Sequence, residues 1–183
     1  MRWDALFADL EAQLAGASLA MQEAEVSERH RTDFAAVELT DRLRSQTGRH
    51  LKVQVGLPGV FSGELRHVGS GWVVLEGERQ SAVVSLEHAV FIEGMDRFST
   101  VAAPLVRLGL ASAVRGLSRD RSPVRVFPAC QKPDAAVDGS IDRVGRDFLE
   151  LSVTPRGEPR RPANVLAVYT VPLHAVAAIC LMH

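Results

Sequence analysis

The chain is poor in cysteine and has no long hydrophobic run. Only Cys130 and Cys180 are present among 183 residues, too few for the disulfide framework of a small secreted domain. The longest apolar stretch, 101–114, is interrupted by Arg107 and falls short of the ~20 residues that cross a bilayer. The opening residues are amphipathic and lack the apolar core of a signal peptide. These absences predict a reduced, cytoplasmic protein that does not enter a membrane.

The sequence also lacks the motifs of the common catalytic and metal sites. It contains no HExxH or paired-cysteine pattern, no Gly-x-Ser-x-Gly elbow, no P-loop and no dinucleotide fingerprint. Cys130, His174 and Cys180 share one half of the chain, but a core cysteine and a strand-end histidine are the favoured interpretation. We therefore predict that the protein is not an enzyme and has no catalytic residues, no cofactor, no metal and no small-molecule substrate.

Charge is nearly balanced over the whole chain, at a net −1, but it is unevenly distributed. Residues 1–47 hold nine acidic and five basic residues, whereas residues 99–183 hold seven acidic and eleven basic ones. Two arginine clusters of the basic half are candidates for nucleic-acid binding: Arg115, Arg119, Arg121 and Arg125, and then Arg156, Arg160 and Arg161. If they converge, they would contact phosphates of RNA or DNA. The alternative, favoured in an arginine-rich chain, is a solvated surface.

One sequence motif occurs twice. Residues 63–75 read GELRHVGSGWVVL, residues 139–151 read GSIDRVGRDFLEL, and the segment 83–92 aligns without gaps to 170–179. A repeat of this length indicates one supersecondary unit used twice. In each copy, alternation of apolar and polar residues predicts five short strands. Between the copies, the apolar pattern of residues 100–117 predicts a helix.

The predicted fold class is α+β, with two tandem small five-stranded β-barrels, each preceded by a helix. The predicted boundaries are 1–47 for a helical N-terminal extension, 48–98 for the first barrel and 99–183 for a helix plus the second barrel.

The repeated unit resembles the Sm-like fold, whose superfamily includes the Sm and Lsm proteins and the bacterial RNA chaperone Hfq. The resemblance rests on a helix, five bent strands and a Gly-x-Leu-x-x-Val-Gly pattern in the second strand; a generic SH3-like barrel is the alternative. Gly63 and Gly139 suit a curved strand where no side chain fits. Gly69 and Gly145 suit a tight turn that needs positive φ.

The resemblance implies RNA binding, but the chain departs from the family's uridine pocket. The positions of the family's Asp and Asn hold Gly69 and Val73 in the first copy and Gly145 and Leu149 in the second. Apolar side chains do not supply hydrogen bonds to base edges, so we expect no uridine pocket. The opening MRWDALFADLEAQL also resembles the start of a group of uncharacterised actinobacterial proteins, which implies a bacterial cytosolic origin and no particular activity.

The extension is predicted to be one long helix or two, because the first 46 residues contain no proline and space their apolar side chains helically. Its clearest apolar stripe comprises Trp3, Phe7, Leu10 and Leu14. Residues 1–25 have no counterpart in the second copy, so this stripe is predicted to bind a partner protein or a second copy of the chain.

Trp72 and Phe148 occupy equivalent positions of the repeat. They would form either a stacking platform for bases or a pair of buried aromatic side chains, and burial is the favoured interpretation.

The predicted function is a non-catalytic binding or assembly module, which docks protein partners or self-associates and offers exposed strand edges for β-augmentation. The alternative is a regulator that binds RNA or DNA through the arginine clusters.

Overall fold

The computed structural model describes residues 21–22, 25, 28, 34–56, 59–78, 80–96, 108–119, 122–130, 135–155 and 161–182. The chain divides into two units, Met1–Glu38 and Leu39–His183. The apolar stripe of Trp3, Phe7, Leu10 and Leu14 lies outside the described residues. Every bounded helix and strand below belongs to the second unit.

The described part of the second unit contains two short helices and ten strands. The helices are α1 (Leu39–Arg44) and α2 (Leu110–Arg119). The first five strands are β1 (His50–Val55), β2 (Gly59–Val68), β3 (Trp72–Glu76), β4 (Gln80–Ser85) and β5 (Ala89–Glu93). The last five are β6 (Pro123–Pro128), β7 (Val137–Val144), β8 (Phe148–Val153), β9 (Ala167–Pro172) and β10 (Val176–Met182). Short 3-10 turns lie at Leu86–His88, Pro162–Asn164 and Leu173–Ala175.

The strands form where apolar and polar residues alternate, because a strand points successive side chains to opposite faces. In β1, Leu51, Val53 and Val55 are buried, while the residues between them are exposed. The ten strand segments predicted from this alternation are all found, with ends shifted by a few residues. Within the described residues, neither helix has the length and apolarity needed to cross a membrane.

All ten strands belong to one antiparallel sheet, in the order β5-β1-β2-β3-β4-β10-β6-β7-β8-β9. Strands β1 to β5 make up the first half of the sheet and strands β6 to β10 the second. The halves meet where β4 pairs with β10, from Ala178 opposite Val84 to Met182 opposite Gln80. The edges of the sheet are β5 and β9.

The prediction of two tandem barrels, each preceded by a helix, is therefore wrong. In a closed five-stranded barrel the fourth strand would return to its own unit, but β4 pairs with β10 of the other half and the sheet stays open. The alternation that locates a strand depends on which face is buried, and it carries no information about which strand edges meet. The described residues thus give a mostly β protein with two short helices.

The two bounded helices of the second unit are shorter than the segments predicted to be helical. Of the predicted helical extension 1–47, the bounded helix in the described residues is α1, only six residues long, and residues 1–20 lie outside them. The helix predicted over 100–117 is found as α2, from Leu110 to Arg119, and residues 97–107 lie outside the described residues.

The sheet holds two hydrophobic cores, one for each half. The first core is formed by buried residues that include Leu43, Leu51, Phe61, Leu65, Val73, Leu75 and Val84. The second is formed by buried residues that include Val114, Val124, Val126, Ile141, Leu149, Leu151 and Val176. Strand β10 serves both, because Ala178 and Cys180 lie in the first core and Ile179 lies in the second. Neighbouring strand residues face opposite ways, so the two cores cover opposite faces of β10.

Hydrogen bonds and an ion pair hold the chain in place just after β5. The buried Gln46 side chain accepts a hydrogen bond from the backbone N–H of Asp96 at 2.9 Å. Arg49 forms an ion pair with the Asp96 carboxylate at 2.7 Å, and the Arg42 guanidinium donates to the Asp96 carbonyl at 3.3 Å. These contacts connect the segment just after edge strand β5 to α1 and to the residues that follow α1.

Candidate interaction site

Strand β5 forms one edge of the sheet and exposes two apolar side chains. It pairs with β1, with Ile92 opposite Val53 and Phe91 opposite Gln54. Ile92 turns inward and packs against the first core. Phe91 turns outward and is 68% exposed, and Val90 is 53% exposed. The edge therefore presents an aromatic ring and a valine to solvent beside its backbone.

Strand β9 forms the other edge and has the same character. It pairs with β8, with Leu151 opposite Tyr169 and Ser152 opposite Val168. Side chains directly opposite each other in a sheet share a face, so Tyr169 lies on the side of the second core, where Leu151 is buried. Tyr169 is nevertheless 50% exposed, and Val168 is 56% exposed. The second core is incompletely covered at this edge.

Both edges carry little charge. Strand β9 has no charged residue, and the single charge of β5, Glu93, is paired with Lys52 of β1 at 3.0 Å. Natural proteins commonly protect exposed edge strands with charges, because an edge offers backbone N–H and C=O groups to another strand. Two apolar, weakly charged edges are chemically suited to bind an extended strand through backbone hydrogen bonds and side-chain packing.

The first arginine cluster is divided among several structural roles. Arg115 and Arg119 are exposed on α2, four residues apart and therefore on one helix face. The Arg115 guanidinium donates a hydrogen bond to the Gly145 carbonyl at 2.8 Å. Arg125 donates two hydrogen bonds to the Asp138 carboxylate, at 2.5 and 2.6 Å, and this partner raises the pKa of Arg125 above its ordinary value. Arg125 is thus neutralised locally by its cross-strand neighbour.

The second arginine cluster is described at one position. Arg161 is exposed before the 3-10 turn Pro162–Asn164, and its backbone N–H donates to the Asn164 side-chain oxygen at 2.8 Å. Arg121, Arg156 and Arg160 lie outside the described residues. Arg115, Arg119 and Arg161 are exposed, and within the described residues none of them forms an ion pair with a carboxylate as Arg125 does with Asp138.

The described residues include both cysteines and other side chains of types that can bind metal. Among them, no group of three or more His, Cys, Asp or Glu side chains has the arrangement of a metal site. Cys130 and Cys180 are not joined by a disulfide; the first is exposed and the second is buried. Burial raises the pKa of the Cys180 thiol to about 11, which keeps it protonated and unreactive near neutral pH.

The two equivalent aromatics differ in exposure. Trp72 is buried, with 7% of its surface exposed, and its indole N–H donates to the Leu108 carbonyl at 2.8 Å. The buried interpretation is therefore confirmed for Trp72, which has no free face for a base. Phe148 is 36% exposed at the start of β8.

The apolar residues of the two edges were not predicted as site residues. Half-buried strands normally alternate, and the sequence signals are two uninterrupted apolar runs, Ala89–Ile92 of β5 and residues 165–169 leading into β9. Such a run leaves at least one apolar side chain on the solvent face. No protein-family model matches the chain, and no curated protein matches it in sequence.

Proposed function

We propose that the protein is a non-catalytic binding or assembly module that engages protein strands at the edges of its ten-stranded sheet. The observation that carries this proposal is the pair of edge strands with exposed apolar side chains, Phe91 on β5 and Tyr169 on β9. Exposed apolar side chains beside an available strand edge combine the two contacts used in β-augmentation. A soluble monomer gains nothing from exposing them, since they also promote aggregation.

The family and the location are part of the same proposal. The resemblance of the motif to the Sm-like superfamily rests on the two copies in the sequence, and the matching strand orders of the two halves, β5-β1-β2-β3-β4 and β10-β6-β7-β8-β9, support the repetition. A reducing cytoplasmic location agrees with the lack of a disulfide between Cys130 and Cys180. The apolar stripe of Trp3, Phe7, Leu10 and Leu14 remains a predicted second contact.

Site-specific photo-cross-linking tests the proposed function. A photoreactive phenylalanine analogue is placed at position 91 or 169 of the full chain, and the protein is irradiated in cells that naturally make it. Position 76 is the control, because the Glu76 side chain is 50% exposed and the residue is paired on both sides, with Glu64 of β2 and Ser81 of β4. We expect covalent protein adducts from positions 91 and 169 and few from position 76.

Equal adduct yields at the three positions would remove the proposal, because the edges would then contact protein no more than the rest of the surface does. Adducts that exceed the control at either edge would support it, whichever protein is captured.

Nucleic-acid binding is the second candidate function. It is favoured by the exposed Arg119 and Arg161 and weakened by Arg125, whose charge is satisfied by Asp138. Binding through phosphates would give affinity with little sequence preference.

A further inference from the structure

The pairing of β9 with β8 shows which backbone groups of this edge point outward. Opposed residues of an antiparallel pair alternate between pairs that exchange backbone hydrogen bonds and pairs that do not. The Leu173 N–H donates to the Asp147 carbonyl at 2.8 Å, and these two residues continue the register in which Pro172 lies opposite Phe148. Leu173 thus belongs to a hydrogen-bonded pair, and Pro172, which has no N–H, belongs to a pair without hydrogen bonds.

The same alternation, followed back along β9, identifies two residues with outward backbone groups. The β8–β9 register runs without a shift along the strand. Tyr169 lies four residues before Leu173, so its N–H and C=O point to β8, whereas those of Val168 and Thr170 point away from the sheet. Val168 and Thr170 are both exposed.

The positions on either side limit this outward edge. Pro172, the next outward position toward the end of the strand, has no N–H to donate. At Leu166, just before the strand, the N–H turns back and donates to the Val153 carbonyl of β8 at 2.8 Å. The hydrogen-bonding edge of β9 is therefore centred on Tyr169, with one N–H and one C=O from the residue on each side of it.

The side chains of this edge are arranged almost symmetrically about Tyr169. Residues 166–172 read LAVYTVP, so positions at equal distance from the tyrosine hold Val and Thr, then Ala and Val, then Leu and Pro. None of these residues is charged. Strands that pair antiparallel about a twofold axis oppose exactly such positions, and an uncharged, symmetric strand sets no like charges against each other.

We propose that two copies of the chain pair through β9 about a twofold axis at Tyr169, so that their two sheets join into one. This inference rests on the proposed function and names a second copy as the strand bound at β9. Val168 and Thr170 of one copy then exchange backbone hydrogen bonds with Thr170 and Val168 of the other. The two Tyr169 rings, each 50% exposed in a single chain, meet beside the incompletely covered second cores, where an aromatic pair adds to the apolar burial.

Neighbouring registers would pair fewer of these backbone groups. An axis at Val168 would direct the Thr170 carbonyl to Leu166, whose N–H is already bonded to β8. An axis at Thr170 would direct the Val168 carbonyl to Pro172, which has no N–H. The backbone therefore selects the same axis as the side chains.

Strand β5 lacks this symmetry. An axis at Phe91 would set the charged Glu93 of one copy opposite Ala89 of the other. A twofold contact uses the same surface on both copies and so needs a self-complementary one. Strand β9 meets this condition, and β5 stays available for strands of other proteins.

The first experiment measures the mass of the full-length protein by light scattering and sedimentation. We expect wild type to have twice the 19.9 kDa mass of one chain, and Tyr169→Lys to have the mass of one chain, because two lysines would meet at the axis. Phe91→Lys is the control: it adds the same charge to an exposed aromatic position of the other edge and should keep the doubled mass. Circular dichroism melting verifies that both variants are folded.

The second experiment tests the axis by disulfide cross-linking in a Cys130→Ser background under mild oxidation. Residues opposed in a pair without hydrogen bonds have Cα atoms about 4.5 Å apart, within the range of a disulfide, so Tyr169→Cys should give covalent dimers and no larger multiples on a non-reducing gel. Val168→Cys is the control at a similarly exposed position. Its symmetry mate lies diagonally across the axis, about 7–8 Å away, and should give few dimers.

A wild type with the mass of one chain, together with no covalent dimer from Tyr169→Cys, would overturn the inference. So would a larger assembly that both Tyr169→Lys and Phe91→Lys dissociate, because the two different edges would then pair with each other. In either case, photo-adducts above the control at position 91 would leave the proposed function standing. The mass of one chain together with no excess of photo-adducts at positions 91 and 169 would remove both.

Discussion

Gly63 and Gly139 lie where the backbone of a neighbouring strand leaves no space for a side chain. A Cβ at Gly63 would stand 2.6 Å from the backbone C and O of Glu76, and a Cβ at Gly139 would stand 2.6 Å from the carbonyl O of Ser152. Real Cβ atoms essentially never approach a backbone atom so closely, and a backbone in a paired strand cannot move aside cheaply. Both glycines therefore permit a close approach of two strands.

We predict that Gly63→Ala and Gly139→Ala each lower the free energy of unfolding by more than ~1 kcal/mol, since the added methyl group forces two paired strands apart. Urea denaturation followed by circular dichroism measures the effect. Gly116→Ala is the matched control, because Gly116 lies in α2 with open space around it, and alanine there should stabilise by up to about 1 kcal/mol. Unchanged midpoints for both strand variants would contradict the steric argument.

Gly69 and Gly145 have a different role from the one their sequence suggests. Neither has a positive φ, so the prediction of a left-handed turn residue is wrong at both positions. A Cβ at Gly69 would stand 2.0 Å from the Trp72 ring, and one at Gly145 would stand 2.4 Å from the Phe148 ring. Each glycine makes room for the aromatic side chain three positions later, which a short motif cannot distinguish from a turn requirement.

Among the strands, β10 has the most constrained environment because it is paired on both sides and buried on both faces. It pairs with β4 and with β6, and a register shift between Val176 and Ala178 changes which side chains turn to each core. A strand buried on both faces reads as an apolar run without alternation. The β10 sequence VAAICLM is such a run, and Cys180 within it is a buried residue of the first core.

The nucleic-acid alternative depends on exposed arginines of two elements, Arg119 at the end of α2 and Arg161 before the 3-10 turn Pro162–Asn164. If that function is real, Arg119→Gln combined with Arg161→Gln should reduce the salt dependence of binding by about two phosphate contacts. Fluorescence anisotropy with labelled single-stranded RNA and duplex DNA over a salt series measures it. Arg125→Gln is the control and should leave the slope unchanged, because Arg125 is paired with Asp138. Negligible binding by wild type at low salt would leave only the solvated-surface interpretation.

At the scale of the whole second unit, the continuous sheet couples the two cores. Because β10 supplies side chains to both, the first core cannot stay intact once β10 is released, and the second loses a strand at the same time. Separate barrels joined by a linker would unfold independently. The open sheet should instead unfold as one cooperative unit.

We therefore predict that a cavity in the second core destabilises the first. In a Trp3→Phe background, the fluorescence of Trp72 reports on the first half of the sheet. Leu149→Ala, at a fully buried position of the second core, should lower the urea midpoint seen by Trp72, with a loss of stability of about 2–5 kcal/mol. Leu65→Ala in the first core provides the reference effect. A Trp72 midpoint that Leu149→Ala does not move would show that the halves unfold separately.

The amino-acid sequence by itself determined where the ten strands lie, because alternation at β1 or β8 records which face of that segment is buried. It also indicated the strand glycines Gly63 and Gly139 and offered strand edges in general as binding surfaces. It did not identify β5 and β9 as those edges, nor Phe91 and Tyr169 as the side chains they expose. Tertiary structure decided these points, together with the β4–β10 pairing and the neutralisation of Arg125 by Asp138. Strand backbones present the same hydrogen-bonding groups whatever their sequence, so the choice of partner depends on how distant segments pack in space.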